Sequence, residues 1–237
     1  MQVVSVKGLS KSFSGHKVLE DVSFQIAKGD IIGYLGKNGA GKTTTINSIL
    51  GLLRFNAGKI EVFGKDIADY ETNLGEIGVL LEFNGFYERL TAKQNVEFYL
   101  TALSKEINQY EFQKLLSIME LDGKQYDKVR TYSKGMKRKL ALIRILLQKP
   151  KLIILDEPFD GIDLEARSII IKQIKTFREN TDASIIMTSH VMADIEELAS
   201  RIIVLNKGGI IADETIQEFH LHEGATMTDK YLRMVEI

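Results

Sequence analysis

The most specific chemical arrangement in the chain is Gly36-Lys37-Asn38-Gly39-Ala40-Gly41-Lys42-Thr43, in which two glycines bracket four residues and Lys and Thr follow. That spacing is the phosphate-loop template. Glycine reaches backbone conformations closed to other residues, so successive amides from Gly36, Asn38, Gly39, Ala40 and Gly41 converge on phosphate oxygens with no Cβ in the way. A following helix adds its positive end. Lys42 would bridge β- and γ-phosphate oxygens, and the Thr43 hydroxyl would coordinate Mg²⁺. Thr44 would donate to the α-phosphate. A second pair, Asp156 and Glu157, ends the most apolar run of the chain, Leu152-Ile153-Ile154-Leu155. Ligands of open α/β sheets sit at the carboxyl ends of such strands, so these acids should meet the phosphates. Adjacent strand residues point to opposite faces, which gives the carboxylates different tasks. Asp156 suits a Mg²⁺ or water ligand, and Glu157 suits polarising a water for in-line attack on the γ-phosphate.

The elements that must hold these groups are legible around them. Ile31, Ile32, Tyr34 and Leu35 read as a strand, and Ile46, Ile49, Leu50 and Leu53 as the apolar stripe of a helix, giving strand, loop, helix. Val3, Val4 and Val6, then Val22, Phe24 and Ile26, read as half-buried strands. Ile60 to Val62 and Ile77 to Leu81 continue in that antiparallel style. From Leu90 the pattern turns helical. Thr91 with Gln94 forms a capping box before Val96, Tyr99, Leu100 and Leu103. Asn108 with Glu111 opens a helix carrying Phe112, Leu115, Leu116 and Met119, closed at Asp122-Gly123. A third begins after Ser133, with Met136, Leu140, Ile143 and Leu147 inward, and ends at Pro150. The continuous apolar run 152–155 predicts a parallel strand buried on both faces. Helix and strand alternate after it to Ala212, and the tail beyond Thr215 is polar with little signal. The fold class is α/β, with a core of 1–85 and 150–215, a helical insertion of 86–149 and a C-terminal tail of 216–237.

Composition narrows the function. A formal net charge of -1 gives the whole chain no bias toward nucleic acid or anionic lipid. The absence of cysteine removes disulfides and thiolate metal sites. Met1 to Lys7 alternates like a strand and lacks the apolar core of a signal peptide, and no run approaches the roughly 18 apolar residues that span a bilayer. If the protein moves anything across a membrane, another chain supplies the path.

Four ordered motifs, the Gly36–Thr43 loop, Tyr132-Ser133-Lys134-Gly135-Met136-Lys137, Leu152-Ile153-Ile154-Leu155-Asp156-Glu157-Pro158 and Thr188-Ser189-His190, resemble an ABC (ATP-binding cassette) transporter ATPase subunit. The likeness runs over residues 1 to about 215. It implies a P-loop NTPase core of the RecA type, with an antiparallel β subdomain and an inserted α-helical subdomain. It also implies a head-to-tail homodimer or heterodimer with ATP between the Walker A loop of one subunit and the signature segment of the other. Ser133 and Gly135 match that segment; Ser133 as a plain N-cap satisfies the same geometry. His190 matches the switch histidine that contacts the γ-phosphate, and Asp163 matches the D-loop aspartate at the dimer interface. Phe13 matches the aromatic that stacks on adenine, with Val18 beside it, unless it belongs to the core.

The chain departs from the family at several positions. Glu82 stands where the Q-loop glutamine is usual, offering oxygen to Mg²⁺ or water but adding charge beside Asp156 and Glu157. Lys134 brings a cation near the partner's phosphate, and Phe159-Asp160 is less usual after Glu-Pro. The resemblance further implies an integral membrane permease as partner, export as the direction, and a place at the cytoplasmic face of the membrane. Phe86 and Tyr87 are candidates for docking that partner, against burial in the insert. The alternative is a soluble ABC-type ATPase acting on nucleic acid or ribosomes, supported by Lys124, Lys128, Arg130, Lys134, Lys137, Arg138 and Lys139. Long heptads and a second cassette, which such proteins would need, are missing, so no nucleic-acid partner is expected.

Overall fold

The computed structural model describes residues 1–67, 74–81, 83–220 and 226–236. Strands β1 (Gln2–Phe13) and β2 (His16–Ala27) form an antiparallel hairpin, in which Val22, Phe24 and Ile26 alternate inward along β2. β3 (Ile31–Leu35) leads through the glycine-rich loop into α1 (Lys42–Ile49). β4 (Ala57–Val62) and β5 (Lys65–Asp66) return to the hairpin and complete a four-stranded sheet of order β2-β1-β4-β5.

β6 (Ile77–Leu80) precedes three helices, α2 (Ala92–Ala102), α3 (Gln109–Ile118) and α4 (Lys134–Gln148). β7 (Leu152–Asp156), α5 (Leu164–Glu179), β8 (Ser184–Ser189), α6 (Met192–Glu196), β9 (Arg201–Asn206) and β10 (Gly209–Thr215) follow. The second sheet has the order β10-β9-β3-β8-β7-β6; all neighbours are parallel except the β9–β10 hairpin. α7 (Ile216–His220) and α8 (Met227–Glu236) close the chain.

The pleat of the second sheet divides its side chains between two cores. Ile32, Tyr34, Leu152, Ile154, Ile186 and Ile203 pack with the antiparallel sheet and α1. Ile153, Leu155, Ile185, Met187, Ile202 and Val204 pack with residues of α4, α5, α6 and α8. Each such side chain contributes about 1.5–3 kcal/mol by burial, so β7, apolar on both faces, is held rigidly with Asp156 at its end. That is the continuous apolar run the sequence predicts.

Five expectations change. Ile77 to Leu80 is not part of the antiparallel sheet; it is the outer strand of the parallel one, paired with β7. The helix after the phosphate loop stops at Ile49, before Leu53, because Gly51 takes a φ of 67° and turns the chain out. α3 ends at Ile118 rather than at Asp122-Gly123, where Glu120 adopts a φ of 56°. α4 is not amphipathic in the ordinary sense: from Arg138 to Gln148 every residue is buried, because the helix lies between the insert and β6. Gln148 ties it there by donating to the Ile77 carbonyl at 2.8 Å. The described residues of the tail form α7 and α8, with Phe219, Met227, Tyr231 and Val235 buried. Its signal was present: Thr226 and Asp229 form a reciprocal cap, and Met227, Tyr231 and Val235 follow at helical spacing.

Candidate functional site

Topology brings the predicted residues together. β3, β8 and β7 are neighbours in that order, so the segments leaving their carboxyl ends, the glycine-rich loop, His190 and Glu157, emerge side by side. They surround a cleft of about 640 Å³ lined by Phe13, Val18, Asn38, Gly39, Gly41, Lys42, Thr43, Thr44, Arg138, Asp156, Glu157, Asp160 and His190.

The loop needs its glycines for stated reasons. Gly41 has a φ of 111°, and a Cβ there would lie 2.6 Å from the Leu19 side chain and 3.0 Å from the Val18 carbonyl. A Cβ on Gly36 would lie 2.6 Å from the Leu205 carbonyl and 3.1 Å from the Cβ of Ala40. Ala40 is buried behind the loop, and neither Gly36 nor Ala40 lines the cleft itself. Gly41 caps α1 without a side chain, so no capping oxygen occupies the first amides of the helix. They are available to an anion.

Lys42 is buried. Its Nζ donates to the Gly36 carbonyl at 2.7 Å and lies 3.2 Å from Glu157 Oε1. Glu157 Oε2 is 3.0 Å from His190 Nδ1. Asp156, 3% exposed, points elsewhere: its Oδ2 accepts from the Thr43 hydroxyl at 3.1 Å and its Oδ1 from the Thr188 hydroxyl at 2.6 Å. The two acids therefore have different partners, as expected, but the pleat is not the cause. β7 ends at Asp156, and Glu157 leaves the sheet with a φ of 45°. Thr188 fixes that turn by accepting from the Glu157 amide at 2.9 Å.

Phe13 is 44% exposed and lines the cleft, with Lys11 Nζ 4.7 Å from its ring centre. It is not a core residue. Ser133 caps α4 by accepting from the Met136 amide at 3.2 Å, and Asp163 caps α5 by accepting from the Ala166 amide at 2.7 Å. Gly135 lies beside both caps. Ser133, Gly135 and Asp163 form one group apart from the cleft residues. The preceding Tyr132 hydroxyl donates to the Lys124 carbonyl at 2.8 Å, and burial pushes its pKa up to about 12. Glu82 lies outside the described residues.

Thr43 and Asp156 present hard oxygen donors 3.1 Å apart at the cleft. That donor set suits Mg²⁺, which takes one or two protein oxygens and completes its shell with water and phosphate.

Three residues to which sequence reasoning assigned no place in the cleft matter here. Thr188 joins the two acids; it pairs with Asp156 in register, one strand over. Asp160 lines the cleft and accepts from Lys134 Nζ at 2.8 Å; that hydrogen bond holds its carboxyl below the ordinary carboxylate value. Lys134 is thus neutralised within its own chain. Arg138 also lines the cleft, and its signal was an arginine set with Leu142 and Ile145 on one buried face of α4. The C-terminal helix comes near as well. Burial raises the Tyr231 phenol above its ordinary value, and the Glu157 carboxylate raises it further.

Most of the basic run is paired or buried, while Lys128 and Arg130 are exposed. Lys124 pairs with Asp127, Lys134 with Asp160, Lys137 with Glu88 and Lys139 with Glu120, while Arg138 is buried. Phe86 packs on the core with Arg144 over its ring at 5.0 Å, whereas Tyr87 is exposed and meets Phe98 edge-on at 4.9 Å.

A family model described as ABC transporter matches residues 19–160. The bacitracin transport ATP-binding protein BcrA of Bacillus licheniformis is 32% identical, over 89% of this chain and 69% of that protein. The Nod factor export ATP-binding protein I of Rhizobium johnstonii is 35% identical, over 89% of this chain and 68% of that protein. A solved structure described as the ATP binding subunit of an ABC transporter superposes with a TM-score of 0.88 at 29% identity, covering 98% of this chain and 99% of that one.

Proposed function

Because the chain belongs to the ABC transporter ATP-binding family, we propose that it binds and hydrolyses Mg·ATP in this cleft and thereby drives a separate membrane-spanning permease in the direction of export. One observation carries the proposal: the Glu157 carboxylate sits between Lys42 and His190, 3.2 and 3.0 Å away, at the mouth of the glycine-rich loop. Loop amides and Lys42 hold the β- and γ-phosphates, and Thr44 the α-phosphate. Phe13 stacks on the adenine, with Val18 at its edge. Thr43 and Asp156 hold Mg²⁺, which neutralises developing phosphate charge. Glu157 takes a proton from the attacking water, and His190 orients that carboxylate and meets the γ-phosphate.

Ser133, Gly135 and Asp163 act on a second copy. In a head-to-tail dimer, of this chain or with a related subunit, the α4 N-terminus would close over the neighbour's γ-phosphate. No helix among the described residues is long and apolar enough to cross a membrane. The permease therefore supplies the path, and this subunit works at its cytoplasmic face. Export is favoured by the bacitracin transport and Nod factor export relatives. The residues divide into a nucleotide-binding core, 1–85 and 150–215, and a helical subdomain, 86–149, with α4 shared between them. The transport and export relatives favour a transport reading over a nucleic-acid partner.

Glu157→Gln keeps the shape and removes the base. Hydrolysis should fall by about 10²–10⁴, with ATP affinity retained and a dimer trapped in size-exclusion chromatography with ATP. A variant that stays monomeric and hydrolyses at the wild-type rate overturns the assignment of Glu157.

A further inference from the structure

Arg138 is 1% exposed, yet it reaches the cleft from α4. Its Nη1 donates to the Leu81 carbonyl at 2.7 Å and to Asn84 Oδ1 at 3.3 Å, and its Nη2 reaches the Glu157 carbonyl at 3.4 Å. One planar guanidinium on α4 thus joins two residues of the stretch that follows β6, Leu81 and Asn84, to the turn that aims the catalytic carboxylate. Glu157 takes its left-handed φ of 45° without the freedom of glycine. Such a conformation costs about 1–3 kcal/mol and persists only where its surroundings impose it. Thr188 holds the amide side of that residue and Arg138 the carbonyl side.

We propose that Arg138 is a positioning residue for Glu157, coupling the placement of α4, whose N-terminus carries Ser133, to the alignment of the water-activating carboxylate. The inference rests on the hydrolytic role given to Glu157 above. α4 begins at the Ser133 cap and is buried from Arg138 to Gln148. A shift of the helical insert moves the guanidinium with it, and the guanidinium is bonded to the Glu157 carbonyl. Hydrolysis then depends on where the insert stands, while nucleotide binding, which uses the loop at 36–44, does not. Arginine is required because its fork addresses two acceptors in fixed directions; a lysine ammonium is a single point donor on a flexible stem.

The test uses the full chain and compares Arg138→Lys and Arg138→Met with wild type, by steady-state ATPase kinetics and calorimetric ATP titration, with thermal melts as a fold check. The expected result is a kcat lowered at least tenfold in Arg138→Lys, with ATP affinity within about twofold of wild type. In a Glu157→Gln background, Arg138→Lys should cause no further loss, because the group it positions is gone. Arg138→Met removes a buried charge and serves only if its melt matches wild type; Arg138→Lys, which keeps the charge, decides otherwise. Loss of affinity in parallel with kcat, or a folded Arg138→Lys with full kcat, overturns the proposal. If Glu157→Gln itself retains full hydrolysis, the reading of Glu157 has failed instead, and the two failures are told apart.

Discussion

Replacing Thr188 by Val removes one oxygen from beneath the site and changes little else in shape. The hydroxyl is fully buried, donates to Asp156 Oδ1 at 2.6 Å and accepts from the Glu157 amide at 2.9 Å. Loss of a hydrogen bond to a charged group costs about 1.5–3 kcal/mol, and an orphaned buried amide about 1–3 kcal/mol. The two effects share one site and do not add fully, so about 3 kcal/mol is expected. For a chain of this length each kcal/mol lowers the melting temperature by about 2–4 °C, giving a drop of roughly 6–12 °C by circular dichroism. With its amide released, Glu157 relaxes from its left-handed turn. The kcat for ATP should fall at least tenfold, with affinity within about threefold because the loop is untouched. Thr188→Ser keeps the oxygen and should restore both properties. If Thr188→Val melts within about 2 °C of wild type and hydrolyses ATP at the same rate, the idea that this threonine sets the geometry of both acids is wrong.

Asp160→Asn tests the Lys134 pair. The folded carboxyl is held below its unfolded value of about 3.9, so the pair stabilises above that pH and the contribution is lost as pH falls through the depressed value. Both side chains are more than half exposed, which limits the gain at neutral pH to about 1 kcal/mol or less. Urea melts should show the wild-type advantage at neutral pH and a shrinking one as the pH is lowered below about 3.9; an advantage that does not change with acidification would have another origin. Tyr231→Ala should cost about 3–5 kcal/mol in the same melts, since the ring is buried at 4% exposure against the helical side of the sheet. Wild-type stability in that variant would mean that the C-terminal helix is not packed as described.

Local signals made most of this fold legible. The Thr91 capping box, the Asn108 and Ser133 caps and the apolar run of β7 all formed where their residue types demanded. The phosphate loop, Asp156 and Glu157 were legible because their chemistry fixes both residue type and spacing. The misses were of another kind. β6 reads like a half-buried antiparallel strand because pairing partner and direction depend on residues some seventy positions away. Thr188 acts through contacts 31 and 32 positions apart and Arg138 through contacts 57, 54 and 19 positions apart, so local spacing can place their side chains on buried faces without announcing what they touch. α8 was legible in principle from its cap and its buried triad, but its polar face masked them.

The central claim is that this cleft binds ATP through the loop around Lys42. Calorimetric titration of ATP with magnesium into the folded protein and into Lys42→Ala tests it most directly. The account predicts saturable binding at one site per chain in the wild type, and at least tenfold weaker binding, about 1.4 kcal/mol, in a variant that remains folded. Folded wild-type protein that takes up no ATP, or equal affinity in the two proteins, would contradict it.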